Sequence, residues 1–230
     1  MDRKQLTELL KQHGVKVVGN YVLKDDLRKV LADAESQDAA TAKMALKNYD
    51  AYAKRVADAY LARPSFEAEY AGSWRTLAAN IKVMYKRLQS QFTFDFVEND
   101  PYTSFKQMSD DVNSSGVLKI YTGFSEHPIW TPEENHLFRA VHDALGHMAG
   151  YKKNRGHAFT LRGELGVYNR QIKVISPAAR VALFTEIVGQ VCTSIAKGGF
   201  PPQKVCALHG FDYVNVGMID EERYKTNFEE

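Results

Sequence analysis

Apolar residues recur every three to four positions over most of this chain, the period that lets one face of a helix meet a core. Residues 3 to 13 and 24 to 34 predict two short helices around "GVKVVGNYVLK", where Gly14 and Gly19 break the pattern. A long alanine-rich pattern over about 36 to 62 carries Met44, Tyr49, Tyr52, Val56 and Tyr60 on one stripe and is closed by Pro64; its expected partner is 72 to 89. Helices are also predicted over 102 to 112, 132 to 148, 157 to 172 and 177 to 197. Alternation with period two occurs in "FTFDFVEN", which places Phe92, Phe94 and Phe96 on one face of a strand, and "VLKIYTG" (117 to 123) is the second strand candidate.

Two helix starts are marked by chemistry as well as by period. Thr131-Pro132 and Ser176-Pro177 each put a hydroxyl before a proline, and Glu134 completes a capping-box pattern with Thr131. After Gly198-Gly199 the breakers and aromatics of the tail predict a loop that wraps the core. The expected fold class is mainly α: a helical domain over 36 to 230 with a small two-stranded β element, and a short helical N-terminal module over 1 to 35.

Composition adds boundaries. With 44% apolar and 25% charged residues in 230, the chain has the balance of a globular protein able to bury a core. A net charge of +2 gives no bulk field that would commit it to nucleic acid or an anionic membrane. Cys192 and Cys206 lack a CxxC spacing, and the first residues show neither a basic n-region nor an apolar run, so the expected location is the cytoplasm. No uncharged apolar segment reaches the roughly 18 to 20 residues that span a bilayer, and no membrane partner is expected.

Candidate chemistry sits in "TPEENHLFRAVHDALGH", where one amphipathic helix carries His136, His142, Asp143 and His147. His142 and His147 are five apart, about 140° around an ideal helix, which is neither an i,i+4 metal pair nor a zinc-protease signature. Gly146 could loosen the final turn and let the imidazoles meet over one ion. Glu186 lies inside the apolar stretch "VALFTEIVGQV", where an ionised carboxylate costs several kcal/mol unless it is paired or coordinated. Gln190, one turn on, is its candidate hydrogen-bond partner. Glu164 in "LRGELGVYN" is a weaker case, with Arg162 and Arg170 near enough to pair with it, and is expected to support the site rather than bind metal. Two imidazoles and one carboxylate suit a non-haem iron(II) site, or zinc activating water; the ligand types leave both open.

The segments "PIWTPE" (128 to 133), "HDALGH" (142 to 147) and Glu186 resemble the iron motif of the pterin-dependent aromatic amino acid hydroxylases, and "FTLRGELGVYN" with "ALFTEIVGQ" is similar to the two helices that follow it there. The resemblance implies His142, His147 and Glu186 as metal ligands, Fe(II) with a reduced pterin as cofactors, and hydroxylation of a small aromatic or otherwise unsaturated molecule. It gives Asp143 a place beside the pterin, sets Trp130 at the pocket, and leaves Glu164 as a catalytic support. The family's substrate-binding arginine falls on Gly123, so phenylalanine, tyrosine and tryptophan are not the expected substrates.

Two other readings compete. "AVHDALGH" also looks like the core of HD-type metal phosphohydrolases, with His127 or His136 upstream and Asp212 or Asp220 downstream as further ligands and a nucleotide as substrate. A non-catalytic helical binding module is the third, in which Tyr151, Lys152, Lys153, Arg155, Phe159 and Arg162 could meet phosphate or nucleic acid. His127, His157 and His209 are otherwise expected in loops or at a rim.

Overall fold

The computed structural model describes residues 17–18, 21–22, 49–148 and 159–214. The helices predicted over 3 to 13 and 24 to 34, the first part of the 36 to 62 helix, and the tail beyond 214 lie outside the described residues. Between the two predicted N-terminal helices, β1 (Val17–Val18) and β2 (Tyr21–Val22) form an antiparallel pair across Gly19-Asn20.

The rest is mainly helical. In order come α1 (Tyr49–Ala62), α2 (Ala71–Leu88), β3 (Thr93–Val97), α3 (Phe105–Ser115) and β4 (Val117–Tyr121). Then follow α4 (Pro132–Val141), α5 (Leu161–Gln171) and α6 (Pro177–Lys197). β3 and β4 pair in parallel, Thr93 with Val117 through Val97 with Tyr121, and α3 is the crossover that parallel pairing requires. Ser104 caps α3 by accepting from the Gln107 amide, and Gly116, at φ 72°, ends it in the left-handed conformation that glycine adopts without steric cost.

Period two holds for β4, where Leu118 and Ile120 are fully buried. It fails to bury β3: Phe94 lies against Tyr85 at 4.9 Å, whereas Phe96 is 39% exposed. The predicted phenylalanine face therefore covers α2 at the surface instead of entering the core.

α6 is the axis of the molecule. It is long and apolar enough by length and composition to cross a membrane, yet 67% of its apolar window is buried within the protein. Its C-terminal part packs along α1, its N-terminal part on α2, and α2 in turn carries α4. Trp74, Leu77 and Ile81 of α2 meet Tyr60, Tyr168, Leu183, Phe184 and Ile187 in the centre. The tail segment near 205 lies across the end of α1, where Val205 bridges Phe66 in parallel and the Lys204 ammonium donates to the Tyr60 carbonyl at 2.8 Å. Wrapping by the tail is thus seen over its described part.

One predicted cap is made and one is not. The Thr131 hydroxyl accepts from the Glu134 amide, and the Glu134 carboxylate accepts from the Thr131 amide, closing the capping box. Ser176 makes no such bond. Its amide is turned to Asn80 Oδ1 at 2.7 Å, and α6 opens with a tight three-residue turn, Pro177–Ala179.

Candidate metal centre

The last turn of the α4 segment answers the spacing problem. Residues His142–Met148 form a π-helical turn, in which hydrogen bonds run from i to i+5 and residues five apart stand over one another. His142 and His147, splayed by about 140° on a regular helix, are thereby brought to ring centroids 5.0 Å apart at 78°. Gly146 contributes space, not unusual φ. A Cβ there would lie 2.4 Å from Val167 Cγ1 and 2.7 Å from Cγ2, so its absence lets α5 close onto the turn.

That close approach delivers Glu164, which sits about one turn before Val167 on α5. Thr160 starts the helix by accepting from the Gly163 amide. The Glu164 carboxylate spans both imidazoles, with Oε2 3.1 Å from His142 Nε2 and Oε1 3.4 Å from His147 Nε2. One donor atom from each of the three side chains lies within 4.8 Å of the others, an arrangement able to hold a metal ion. The side chains of His142 and Glu164 keep a small exposed edge, while His147 is buried, so the group opens to solvent on one side.

Charge is shared tightly here. Burial alone would raise the Glu164 carboxyl, but His147 and His142 outweigh it by charge and hydrogen bonding and hold it far below the ordinary carboxylate range. For His142, burial opposes the imidazolium, yet the Glu164 carboxylate, with Asp143 and Gln171 adding to it, leaves the imidazole more basic than usual. Burial raises Asp143, against the pull of both imidazoles and Arg139.

Glu186 is not part of this group, which corrects its expected role as a ligand. Its Oε1 accepts from Trp74 Nε1 at 2.7 Å and His127 Nε2 at 3.1 Å, and its Oε2 accepts from Gln190 Nε2 at 2.7 Å. The buried carboxylate did need partners, and it found them in three side-chain donors from α2, the loop before α4 and its own helix. A second π-turn, Thr185–Gly189, carries it. Glu164 in turn is a candidate ligand, not only a support, because it offers a donor atom within 4.8 Å of those of His142 and His147; Arg170 donates to the Gly146 carbonyl at 2.6 Å.

His127 is also relocated. Its side chain is fully buried, with Nδ1 accepting from the Ile129 and Trp130 amides, which leaves Nε2 as the protonated atom facing Glu186. Sequence reading missed this because a histidine before proline looks like a surface turn; the turn exists, but it points inward. The indole of Trp130 stacks on His127 at 4.6 Å, donates to the Trp74 carbonyl, and reaches the metal group only through Phe138, which lies 6.3 Å from His142. Phe159 stands edge-on to His147 at 4.9 Å, and Phe105 lies behind both.

The ligands expected of an HD phosphohydrolase do not gather. His136 bonds Ser125 Oγ at 2.8 Å, His127 is committed to Glu186, and Asp212 accepts from the Val214 amide. Asp220, and Tyr151, Lys152, Lys153, Arg155 and His157 of the basic and aromatic group, lie outside the described residues. Asp143 is partly exposed and makes no hydrogen bond or ion pair among the described residues. No protein-family model, curated protein or solved structure matches the chain. What the geometry establishes is a mainly helical protein with a possible metal site of His142, His147 and Glu164.

Proposed function

We propose that the protein is a non-haem iron(II) oxygenase acting on an aromatic or otherwise unsaturated small molecule, with His142, His147 and Glu164 as the iron ligands. The observation that carries the reading is the pair of nitrogen to oxygen distances, 3.1 and 3.4 Å. Donors bound to one first-row metal at about 2.0 to 2.2 Å stand roughly 3.0 to 3.4 Å apart, so these two contacts, one to each Glu164 oxygen, have the length that a shared ion would impose, and all three side chains offer donors within 4.8 Å of one another. A face of three leaves the opposite positions for oxygen and a co-substrate.

The donor chemistry fits as well. Nδ1 of both histidines is buried without a hydrogen-bond partner, so each ring carries an unmet polar atom besides the nitrogen that faces Glu164. Iron(II) held there would activate dioxygen with two electrons from a reduced co-substrate, a pterin by the resemblance of the sequence motif. The protein's own residues would do the remaining work. Phe138, Phe159 and Phe105 keep water from the apolar side, Glu164 offsets part of the metal's charge, and Asp143 offers a carboxylate to orient a co-substrate at the rim.

One observation favours a second reading, a metal-dependent hydrolase: Asp143, unpaired and raised by burial, is suited to take a proton from a metal-bound water. Metal analysis of protein purified without added metal, then anaerobic Fe(II) loading and exposure to oxygen with reduced tetrahydropterin, separates the two. Oxygen uptake that is lost in His142→Ala and Glu164→Ala is expected. Zinc retained at one per chain with no oxygen uptake would overturn the oxygenase in favour of the hydrolase.

A further inference from the structure

We propose that Phe159 is a specificity-determining residue of the metal centre: its ring is the platform on which a planar, unsaturated ring of the substrate stacks while that substrate reaches the open metal positions. The proposal rests on reading His142, His147 and Glu164 as a metal site with positions left open, and it names the side chain that selects a flat ring there.

Three neighbours fix where Phe159 stands. Thr160 is the N-cap of α5, its hydroxyl accepting from the Gly163 amide, so Phe159 is the residue just before the cap and Glu164 is the fourth residue of the helix. Those two positions come together at a helix start, where an apolar pair commonly clasps the entering chain. Here the fourth residue is a carboxylate turned to the imidazoles, so that position offers no apolar side chain to clasp. The same entry angle brings the Phe159 ring to His147, with ring centroids 4.9 Å apart and planes at 89°. Phe105, the buried first residue of α3, meets it from another side at 6.1 Å and 86°.

Held by these contacts, the Phe159 ring is still 44% exposed. A phenylalanine that served only to close the apolar side of the centre would be covered, as Phe105 and Phe138 are. One exposed apolar ring is ordinary on a protein surface. What sets this one apart is its place: it touches a ligand imidazole and adjoins the side on which His142 and Glu164 keep their exposed edges. A flat ring laid on it gains a directional aromatic contact that an aliphatic chain of equal reach does not.

The test uses the full chain loaded with Co(II), with uptake read by chelator competition, and two probes that chelate a metal through the same pair of oxygens. Acetohydroxamate carries a methyl group and benzohydroxamate a phenyl ring; the visible spectrum of the bound Co(II) reports the binding of each. Phe159→Ala is expected to weaken benzohydroxamate roughly 2- to 12-fold more than acetohydroxamate, the worth of one aromatic pair. Phe159→Trp is expected to keep the wild-type preference for the phenyl probe. Comparing the two probes within each variant cancels any change in the metal itself. Equal weakening of both probes, or no weakening of either, overturns the role of Phe159 and leaves the metal site standing. Co(II) uptake by the wild type with neither probe bound overturns the open positions. Wild-type protein that takes up no Co(II) overturns the metal site itself.

Discussion

Replacing Gly146 by alanine tests whether the contact between α5 and the π-turn is what assembles the site. The new methyl carbon would sit 2.4 Å from Val167 Cγ1 and 3.0 Å from Val167 Cβ, where carbon atoms need about 3.5 to 4.0 Å. Val167 is β-branched and cannot swing clear, so α5 has to retreat by about 1 Å. Glu164 moves with it, and metal sites tolerate bond-length departures of only about 0.2 Å. Overpacking of this kind costs about 1–3 kcal/mol, offset by up to about 1 kcal/mol for exchanging glycine in a helix. A small loss of stability should therefore accompany a roughly 10- to 100-fold loss of metal affinity, the range seen when support for a ligand is removed. Titration with Co(II) or Zn(II) and thermal melting of the metal-free protein read the two effects separately. Adding Val167→Ala removes the two nearest methyls and should restore affinity, although not stability. Wild-type affinity in the single variant, or no recovery in the double variant, would refute the reasoning.

Exchanging the two glutamates separates their roles. Glu164→Gln should abolish tight metal binding, whereas Glu186→Gln should leave it unchanged but lower stability by about 1–3 kcal/mol, because an amide N–H would then face the donors of Trp74, His127 or Gln190; chelator competition and urea unfolding measure the pair. The pH dependence follows from the shared charge of His142 and Glu164. The raised His142 pKa contributes stability to the metal-free protein that is complete below about pH 6.5 and lost as pH rises through its folded value, while the lowered Glu164 pKa contributes stability present above about pH 4.3 and lost as pH falls through its own. Metal-free melting temperature should therefore fall from about pH 6.5 upward, and metal affinity should rise over the same range as the competing proton leaves His142; melting curves with and without metal check both slopes. Thr131→Ala, which removes the cap of α4, should cost about 1 kcal/mol in urea unfolding without touching metal affinity.

The helices were legible because their apolar period and their caps agree, as at Thr131-Pro132-Glu133-Glu134. The parallel pairing of β3 and β4 was not, since strand direction depends on the α3 crossover and leaves no mark in either strand. At the site, His142 and His147 could be read from residue type and from the glycine between them. The third member was harder. Glu186 looked the more isolated carboxylate because its neighbours along the chain are apolar, but its donors, Trp74 and His127, are remote in sequence. Glu164 looked neutralised by nearby arginines, yet its carboxylate faces the two imidazoles of the preceding turn. Local sequence shows that a buried charge needs company; which company it keeps is decided by packing between α2, α5 and α6.

The widened turn at His142–Met148 bears on how such centres come and go. Histidines four apart already share a face of a regular helix, so a turn widened by one residue keeps such a pair together after its spacing has grown to five. Straightening that turn would splay the two imidazoles by about 140° with both ligands still in the chain, so the helix geometry, not the residue types alone, holds the site open to an ion.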